Sequence, residues 1–428
     1  MPVRNILRSF AHRNFRLFFA GQGLSLIGTW MQQTALPWLV YSKTNSPVWL
    51  AAVSFAGQFP AVFLSPIAGV YADRLNKRRV LLVTQSLSML QAFLLATMAY
   101  SDRGGVWVLL LLNASLSAIN AFDLTSRQSL LNEMLDTKED LGNAIALNSS
   151  IFNSARLIGP AIAGQLIPII GEAGCFLING LSFLAVLVSL VNMRLSHRAV
   201  AAEQPAVWHG LRDGLRYALS SFPIRTMLLL VALICLLGVP YNVLVPVVAK
   251  VHLGGDERVY GWLMTSAGFG ALSGALFLAS RRSVFGVLRG VFLAPGIVGA
   301  CFLALSLTHN QFAALGLVFV IGMSIVTLLT TCNTVLQSIV PDGLRGRLLS
   351  LYAVTFMGLA PIGGLIAGWI TDWKGIEISL QLVGSVLIVC ATLFGWFLAG
   401  PLRLRAREAY RAKESTVEKE PIVGESEA

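Results

Sequence analysis

The sequence predicts an all-α membrane protein of twelve transmembrane helices in two six-helix halves. Three observations carry this prediction. Of the 428 residues, 55% are hydrophobic and only 12% are charged, where a soluble domain carries about 25%. Mean hydropathy is +0.71. Apolar runs follow one another almost end to end, each long enough to cross a hydrocarbon core about 30 Å thick as a helix of roughly 20 residues. They far exceed the roughly 10-residue alternating strands of a membrane barrel, so a helical bundle is the class that satisfies the backbone in lipid.

The runs lie near 15–40, 48–72, 79–100, 106–126, 141–167, 173–193, 224–249, 259–279, 286–307, 311–336, 348–371 and 378–399. The first is too long for a signal-peptide core and has no small-residue cleavage site after it, so it is expected to remain. Interval 194–223 is the longest polar stretch and divides the spans six and six. The expected organisation is an N-terminal half over 1–193, a cytoplasmic linker over 194–223, a C-terminal half over 224–400 and a cytoplasmic tail over 401–428. In the linker, Trp208, Leu211, Leu215 and Tyr217 interleave with Arg212 and Arg216, which suits a short amphipathic helix on an anionic leaflet. The tail ends in EKEPIVGESEA and has too little apolar area to fold alone. LNSSIFNSARLIGPAIAG from 147 aligns without a gap on LSLYAVTFMGLAPIGGLI from 348, which puts Pro160 and Pro361 at one depth and points to an internal duplication.

The net charge of +11 does not indicate nucleic acid, because the cations follow topology. With the N-terminus inside, 26 of the 32 Lys and Arg fall on cytoplasmic segments. Five fall on outer loops, Lys43, Arg103, Lys250, Arg258 and Lys374, and Arg156 lies inside a span. The positive-inside rule then places both termini in the cytoplasm. Cys175, Cys235, Cys301, Cys332 and Cys390 sit in apolar runs without metal or redox spacing and read as packing residues. His12, His197, His209, His252 and His309 fall at ends or in loops, which argues against a metal site or proton relay within the bundle. No GxxxxGK[ST] phosphate loop and no nucleophile–base cluster occurs. The reading is no cofactor, no metal and no enzyme.

Residues 69–79, GVYADRLNKRR, join the second and third spans. Arg74, Lys77, Arg78 and Arg79 follow a helix C-terminus and obey the positive-inside rule, so topology accounts for them. It does not account for Asp73, an acid set against the helix dipole. Gly69, one turn earlier, offers a neighbouring backbone a close approach. The stretch resembles the G-x-x-x-D-[RK]-x-G-[RK]-[RK]-[RK] loop of the major facilitator superfamily, with Asn76 at the glycine position as a residue that tolerates a left-handed turn. The resemblance implies that Gly69, Asp73, Arg74, Lys77, Arg78 and Arg79 form a cytoplasmic gate, with Asp73 latched onto Arg127 at the inner end of span four. In the second half, GALFLASRRS from Gly274 has Leu278 where the acid would be, so the latch would be one-sided.

HRNFRLFFAGQGLSLIGTWMQQTALPWLVY, NAFDLTSRQSLLNEM and LNSSIFNSARLIGPAIAG are similar to the drug and siderophore exporter branch of that superfamily, which includes the enterobactin exporter and macrolide efflux proteins. The likeness covers about residues 10–400. Gly159, Pro160 and Gly164 fit the span-five motif of its antiporters, with Ala155 where glycine is usual. The resemblance implies export by alternating access.

Asp123 is the one carboxylate well inside an apolar run, and a charge at the centre of a bilayer costs roughly 3 kcal/mol or more. It reads either as a structural pair with Arg127 or as the proton-coupling residue. Arg156 shares a stripe with Ser149, Asn153 and Pro160, and reads as a partner for Asp123 or as a contact for an anionic group on the substrate. Gln22, Ser25, Thr29 and Gln33, Asn120, Tyr241 and Asn242 beside Pro240, and Thr330 and Asn333 complete a substrate-binding lining. Trp30, Met31, Met264, Phe356 and Met357 would form its apolar wall. The expectation is a monomeric, proton-coupled exporter of a small amphiphilic compound in a bacterial cytoplasmic (inner) membrane. Its partners are a small-molecule substrate, protons and the lipid bilayer, with no nucleic acid. The alternatives are a lipid or lysophospholipid flippase of the same fold and a non-transporting membrane receptor.

Overall fold

The computed structural model describes residues 8–101, 105–131, 133–135, 137–194, 215–281 and 288–417; within these, the side chains at 66, 70–74, 138, 288–289, 342–343, 398–403 and 405–417 are outside the description. Among the described residues every regular element is helical. After a 3-10 turn at Arg8–Ala11, the first span is the helix Arg13–Thr44. It stops at Asn45, held at φ 48°, where asparagine pays less than other side chains for the left-handed region. Pro47 then opens the next helix at a position where its missing N–H is no loss.

The second span is broken into Pro47–Ala56 and Phe59–Arg74, and Asn113 of the fourth span donates to the Val53 carbonyl at 2.8 Å beside the break. Spans three and four are Lys77–Ser101 and Val106–Leu131. Leu141–Asn192 is a 52-residue element, about 78 Å at 1.5 Å per residue, which the bilayer allows only as two crossings. Gly171 supplies the reversal, at φ 69° and ψ 174°, a region closed to residues with a Cβ.

Span seven is the least regular. It runs through Phe222–Leu233, a π turn at Ile234–Gly238, Tyr241–Val247 and a second π turn at Val248–His252. Pro240 and Pro246 each remove a backbone donor, and the wider turns absorb the mismatch: the Val239 N–H reaches the Ile234 carbonyl at 2.8 Å. Span eight, Glu257–Ala279, is capped by the Asp256 carboxylate, which accepts from the N–H groups of Arg258 and Val259. Leu288–Val291 with Ala294–Leu307, then Gln311–Ile339, Asp342–Lys374 and Ile376–Val417 complete the chain. Nine helices among the described residues are long and apolar enough to cross a membrane. The double crossing of 141–192, the more polar first helix and the shorter ninth are consistent with twelve crossings.

The last helix does not stop where the tail was expected to begin but continues to Val417. Elongating an existing helix needs no new nucleus, and LRLRAREAYRAKE is rich in helix formers. Most of the expected linker, including Trp208, Leu211 and Arg212, lies outside the described residues; 215–220 is helical, with Ala218 buried.

The N-terminal half is tied by buried side-chain amides. Asn179 of span six donates to Gln32 of span one at 2.8 Å, Gln32 to Gln91 of span three at 3.1 Å, and Gln91 to the Leu112 carbonyl of span four at 3.2 Å. The three amides are 1–3% exposed. In hydrocarbon, where no water can replace a broken bond, such a chain holds four helices in register.

Two seams join the halves. Span five crosses span eight, and span eleven crosses the first part of span two, as expected if the halves are duplicates. At the first seam, a Cβ on Gly261 would lie 2.6 Å from the Gly164 Cα; at the second, one on Gly368 would meet the Ala51 Cβ at 2.6 Å. Only glycine permits these backbone approaches. Both contacts lie away from the basic end, meaning the end that holds Arg13 and the 75–76 connection. The polar ties between the halves also cluster at the end opposite the basic one: Trp38 donates to Glu257 at 3.2 Å and stacks on Tyr260 at 5.4 Å, Lys250 reaches Asn45 at 2.9 Å, and Ser46 reaches Asp372 at 3.0 Å. Towards the basic end the seams diverge. Span eleven packs densely on Pro47–Ala56 and sparsely on Phe59–Arg74, and the Cβ clearance at span eight grows to 3.4 Å where Gly268 faces the Arg156 carbonyl.

Candidate functional site

Among the described residues, two charged centres lie inside the membrane-spanning part. The first is Asp123, 2% exposed on span four. Its Oδ1 accepts from Thr84 at 2.9 Å and from Gln85 at 2.6 Å, both on span three, while Oδ2 accepts from Arg127 one turn along its own helix. The i,i+4 spacing puts cation and carboxylate on one helix face, and the two span-three donors satisfy the other oxygen. Asp123 is therefore paired with Arg127, and Arg156 is not among its donors.

The second centre is Arg156. Its guanidinium lies 5.8 Å from the Trp30 ring of span one, and Trp30 meets Phe152 edge-on at 5.7 Å. Tyr241, buried at the break in span seven, is within electrostatic reach of the same cation. Spans one, five and seven thus meet around one arginine with an aromatic wall.

The remaining expected lining is uneven. Thr29 donates to the Ser25 carbonyl, Asn153 to the Ser149 carbonyl and Asn242 to the Val239 carbonyl, so each serves its own helix. Gln22 is buried at 3% with its Oε1 unbonded. Gln33, Asn120 and Thr330 are exposed, and Asn333 accepts from Gln337 at 3.1 Å. Thr84, Gln85 and the amides Gln32, Gln91 and Asn179 were not anticipated. The available signal was a hydrogen-bonding side chain within an apolar run on spans one, three and six.

At the basic end, the side chains of Asp73 and Arg74 lie outside the described residues. Lys77 pairs with Glu133 at the end of span four, 2.6 Å apart, and Arg78 donates to the Val191 carbonyl of span six at 2.6 Å. These cations tie three helix ends together, beyond their topological role. Arg79 is exposed, and its backbone N–H donates to Asn76 Oδ1 at 3.1 Å. Asn76 thus caps span three. It does not supply a left-handed turn: among the described residues Asn45 is the one non-glycine at positive φ. Gly69 also differs from expectation, since no described atom lies within 4 Å of where its Cβ would stand; in this conformation its face is not in close contact with another backbone. Arg127, expected to hold Asp73, is engaged by Asp123.

A third cluster straps the N-terminus to the start of span five. Arg8 meets Asp140 Oδ1 at 2.9 Å, His12 meets Oδ2 at 2.9 Å, and Ser9 donates to Asn143 at 2.7 Å. The hydrogen bond from His12, aided by one from Thr137 and the Arg8 charge, outweighs desolvation and holds the Asp140 carboxyl below the usual carboxylate range.

A helical membrane bundle in two seamed halves, with charged residues buried inside it, is the architecture of a membrane transporter of the major facilitator type. The chain belongs to the transmembrane secretion effector family of that superfamily, whose model matches residues 5–426. Similar proteins include the staphyloferrin A transporter of Staphylococcus aureus, 27% identical over 92% of this chain and 98% of that protein. The multidrug efflux pump Tap of Mycolicibacterium fortuitum is 25% identical over 84% and 87%, and macrolide efflux protein A of Streptococcus pyogenes is 22% identical over 88% and 94%. Among solved structures, an inward-facing, occupied bacterial homologue of the human lysosomal transporter Spinster shares the fold with a TM-score of 0.71, 16% identity, and coverage of 92% of this chain and 98% of that one.

Proposed function

We propose that the protein exports a small amphiphilic compound, drug-like or siderophore-like, from the bacterial cytoplasm in exchange for protons. The basic end, with both termini, faces the cytoplasm, and the conformation is inward-facing. The observation that carries this reading is the placing of the inter-half ties: both glycine contacts and the Trp38–Glu257 bond close the end opposite the cations, while the seams diverge towards them. Transport then proceeds as the halves rock about a mid-membrane site.

Arg156, with Trp30, Phe152 and Tyr241, receives an anionic or aromatic part of the substrate, and Gln33, Asn120 and Asn333 offer further hydrogen bonds. Asp123 carries the proton: when Arg127 leaves, Oδ2 is a free acceptor in a buried setting that disfavours the charged form. Asp73 is the natural second partner for Arg127 when the basic end closes, with Gly69 and the basic loop packed around it. The protein works as a monomer.

The structure offers a sideways groove of about 430 Å³ between spans five and eight, lined by Leu157, Ile158, Ala161, Trp262, Phe269 and Leu315. At 100° per residue, positions 157, 158 and 161 lie on the side of span five away from Arg156, so the groove does not continue into the central site and does not favour a flippase.

The test uses purified protein in liposomes with an imposed pH gradient, offered a dye, a macrolide and a citrate-type siderophore. At least one should accumulate against its gradient, and Asp123→Asn should abolish accumulation. Unchanged accumulation in Asp123→Asn removes the coupling assignment, and movement of none of the solutes removes the exporter reading.

A further inference from the structure

At the end opposite the cations, span seven finishes on His252, which packs between the connection of spans nine and ten and the first turn of span twelve. Its side chain is fully buried. Nε2 lies 2.9 Å from the Thr308 carbonyl. A carbonyl only accepts, so Nε2 carries the proton. In the neutral ring Nδ1 is then a bare lone pair, and it has no hydrogen-bond partner. It faces Glu377 Oε1 at 3.4 Å, lone pair against carboxylate. That arrangement is repulsive until a proton is added between them. His309 fixes the geometry from the other side, donating from Nδ1 to the His252 carbonyl at 3.0 Å with its ring 4.7 Å away.

We infer that His252 and Glu377 form a proton-binding site on the external face that helps hold the outer seam shut. The assignment of this face as external rests on the inward-facing reading above. A proton on Nδ1 converts the repulsion into a charge-assisted bond between the end of span seven and the start of span twelve. The same π turn, Val248–His252, carries Lys250, whose ammonium spans the halves to Asn45. Fixing His252 therefore fixes one of the bonds that close the seam.

The other charged groups on elements packed here are already engaged or turned away. In the first turn of span eight, Asp256 caps its own helix, Glu257 accepts from Trp38 and Arg258 is exposed. At the end of span eleven, Asp372 accepts from Ser46, and Lys374 lies over Trp373 at 3.9 Å. His309 is spent on the His252 carbonyl. Among the described residues no group of three or more His, Cys, Asp or Glu is arranged to hold a metal, which leaves the proton as the ligand. For an exporter driven by entering protons the sense is useful: outside acidity loads the site and favours return to the inward-facing form.

Spin labels at Val48 and Phe312, exposed on opposite halves at this end, read the seam by electron–electron double resonance on the full-length protein in lipid nanodiscs. Between about pH 8 and pH 5, where imidazole changes charge, acidification should enrich the short distance. His252→Gln and Glu377→Gln should each abolish that response, and His309→Gln should keep it. A response that survives in either of the first two, or that is missing from the parent protein, overturns the inference. Histidine ¹⁵N spectra of the same samples give an independent reading: one imidazole should take a proton at Nδ1 in the parent and lose that transition in Glu377→Gln, and an unaltered transition overturns the site. If these hold while no solute is exported, the exporter reading falls and the proton site stands.

Discussion

Gln85 of the third span donates to Asp123 of the fourth at 2.6 Å, on the carboxylate oxygen that Arg127 leaves free. The bond divides two roles between two oxygens: one is committed to helix packing, the other to a cation one turn away. Gln85→Leu should thus remove packing and spare the Arg127 side. The loss of a charge-assisted bond predicts about 1.5–3 kcal/mol of destabilisation, read as a lower unfolding midpoint in detergent.

Arg156 should discriminate substrates by charge. Arg156→Lys keeps a cation but loses the planar face set over Trp30. Affinity for an anionic substrate should fall roughly tenfold, equivalent to about 1.4 kcal/mol, with a neutral analogue little affected. Fluorescence titration of the two ligands compares them directly.

Gly164 and Gly261 should tolerate no side chain in this conformation. Gly164→Leu would place a Cβ 2.8 Å from the Gly261 Cα. The outer seam should then open, seen as a longer distance between labels at 48 and 312, and transport should fall on the order of tenfold or more, at least 1.4 kcal/mol at the barrier.

Acid should loosen the N-terminal strap through Asp140. Its folded pKa is depressed, so its contribution is complete above the ordinary carboxyl value of about 4 and is lost as pH falls through the lower folded value. Asp140→Asn should lower the unfolding midpoint at neutral pH, and its difference from the parent should vanish as the pH falls through the depressed folded-state value.

Much of this was readable in the chain. Hydropathy marked the crossings, and the one-turn spacing of Asp123 and Arg127 marked their pairing. Pro160 and Pro361 marked spans five and eleven as equivalent places in the two halves, and each of these spans contributes one side of a seam. What stayed hidden were relations between helices. Gln33 and Gln32 are adjacent letters, yet the exposed Gln33 drew notice and the buried Gln32 makes two interhelical bonds, because a sequence gives a helix its faces but not the neighbour each face meets. Asn76 stands where the resembling loop has glycine, yet its side chain is a cap. His252 lies at a helix end in the sequence, but that end is buried by span twelve and by the loop that holds His309.

The row of amides in the N-terminal half has no slack. Gln32 spends its carbonyl on Asn179 and an amide hydrogen on Gln91, so sliding span one past either neighbour strands two polar groups at once in oil. The four helices fastened this way deform together or not at all. The N-terminal half is thereby the stiffer block, and span seven, twice widened and twice interrupted by proline, is the least regular element set against it.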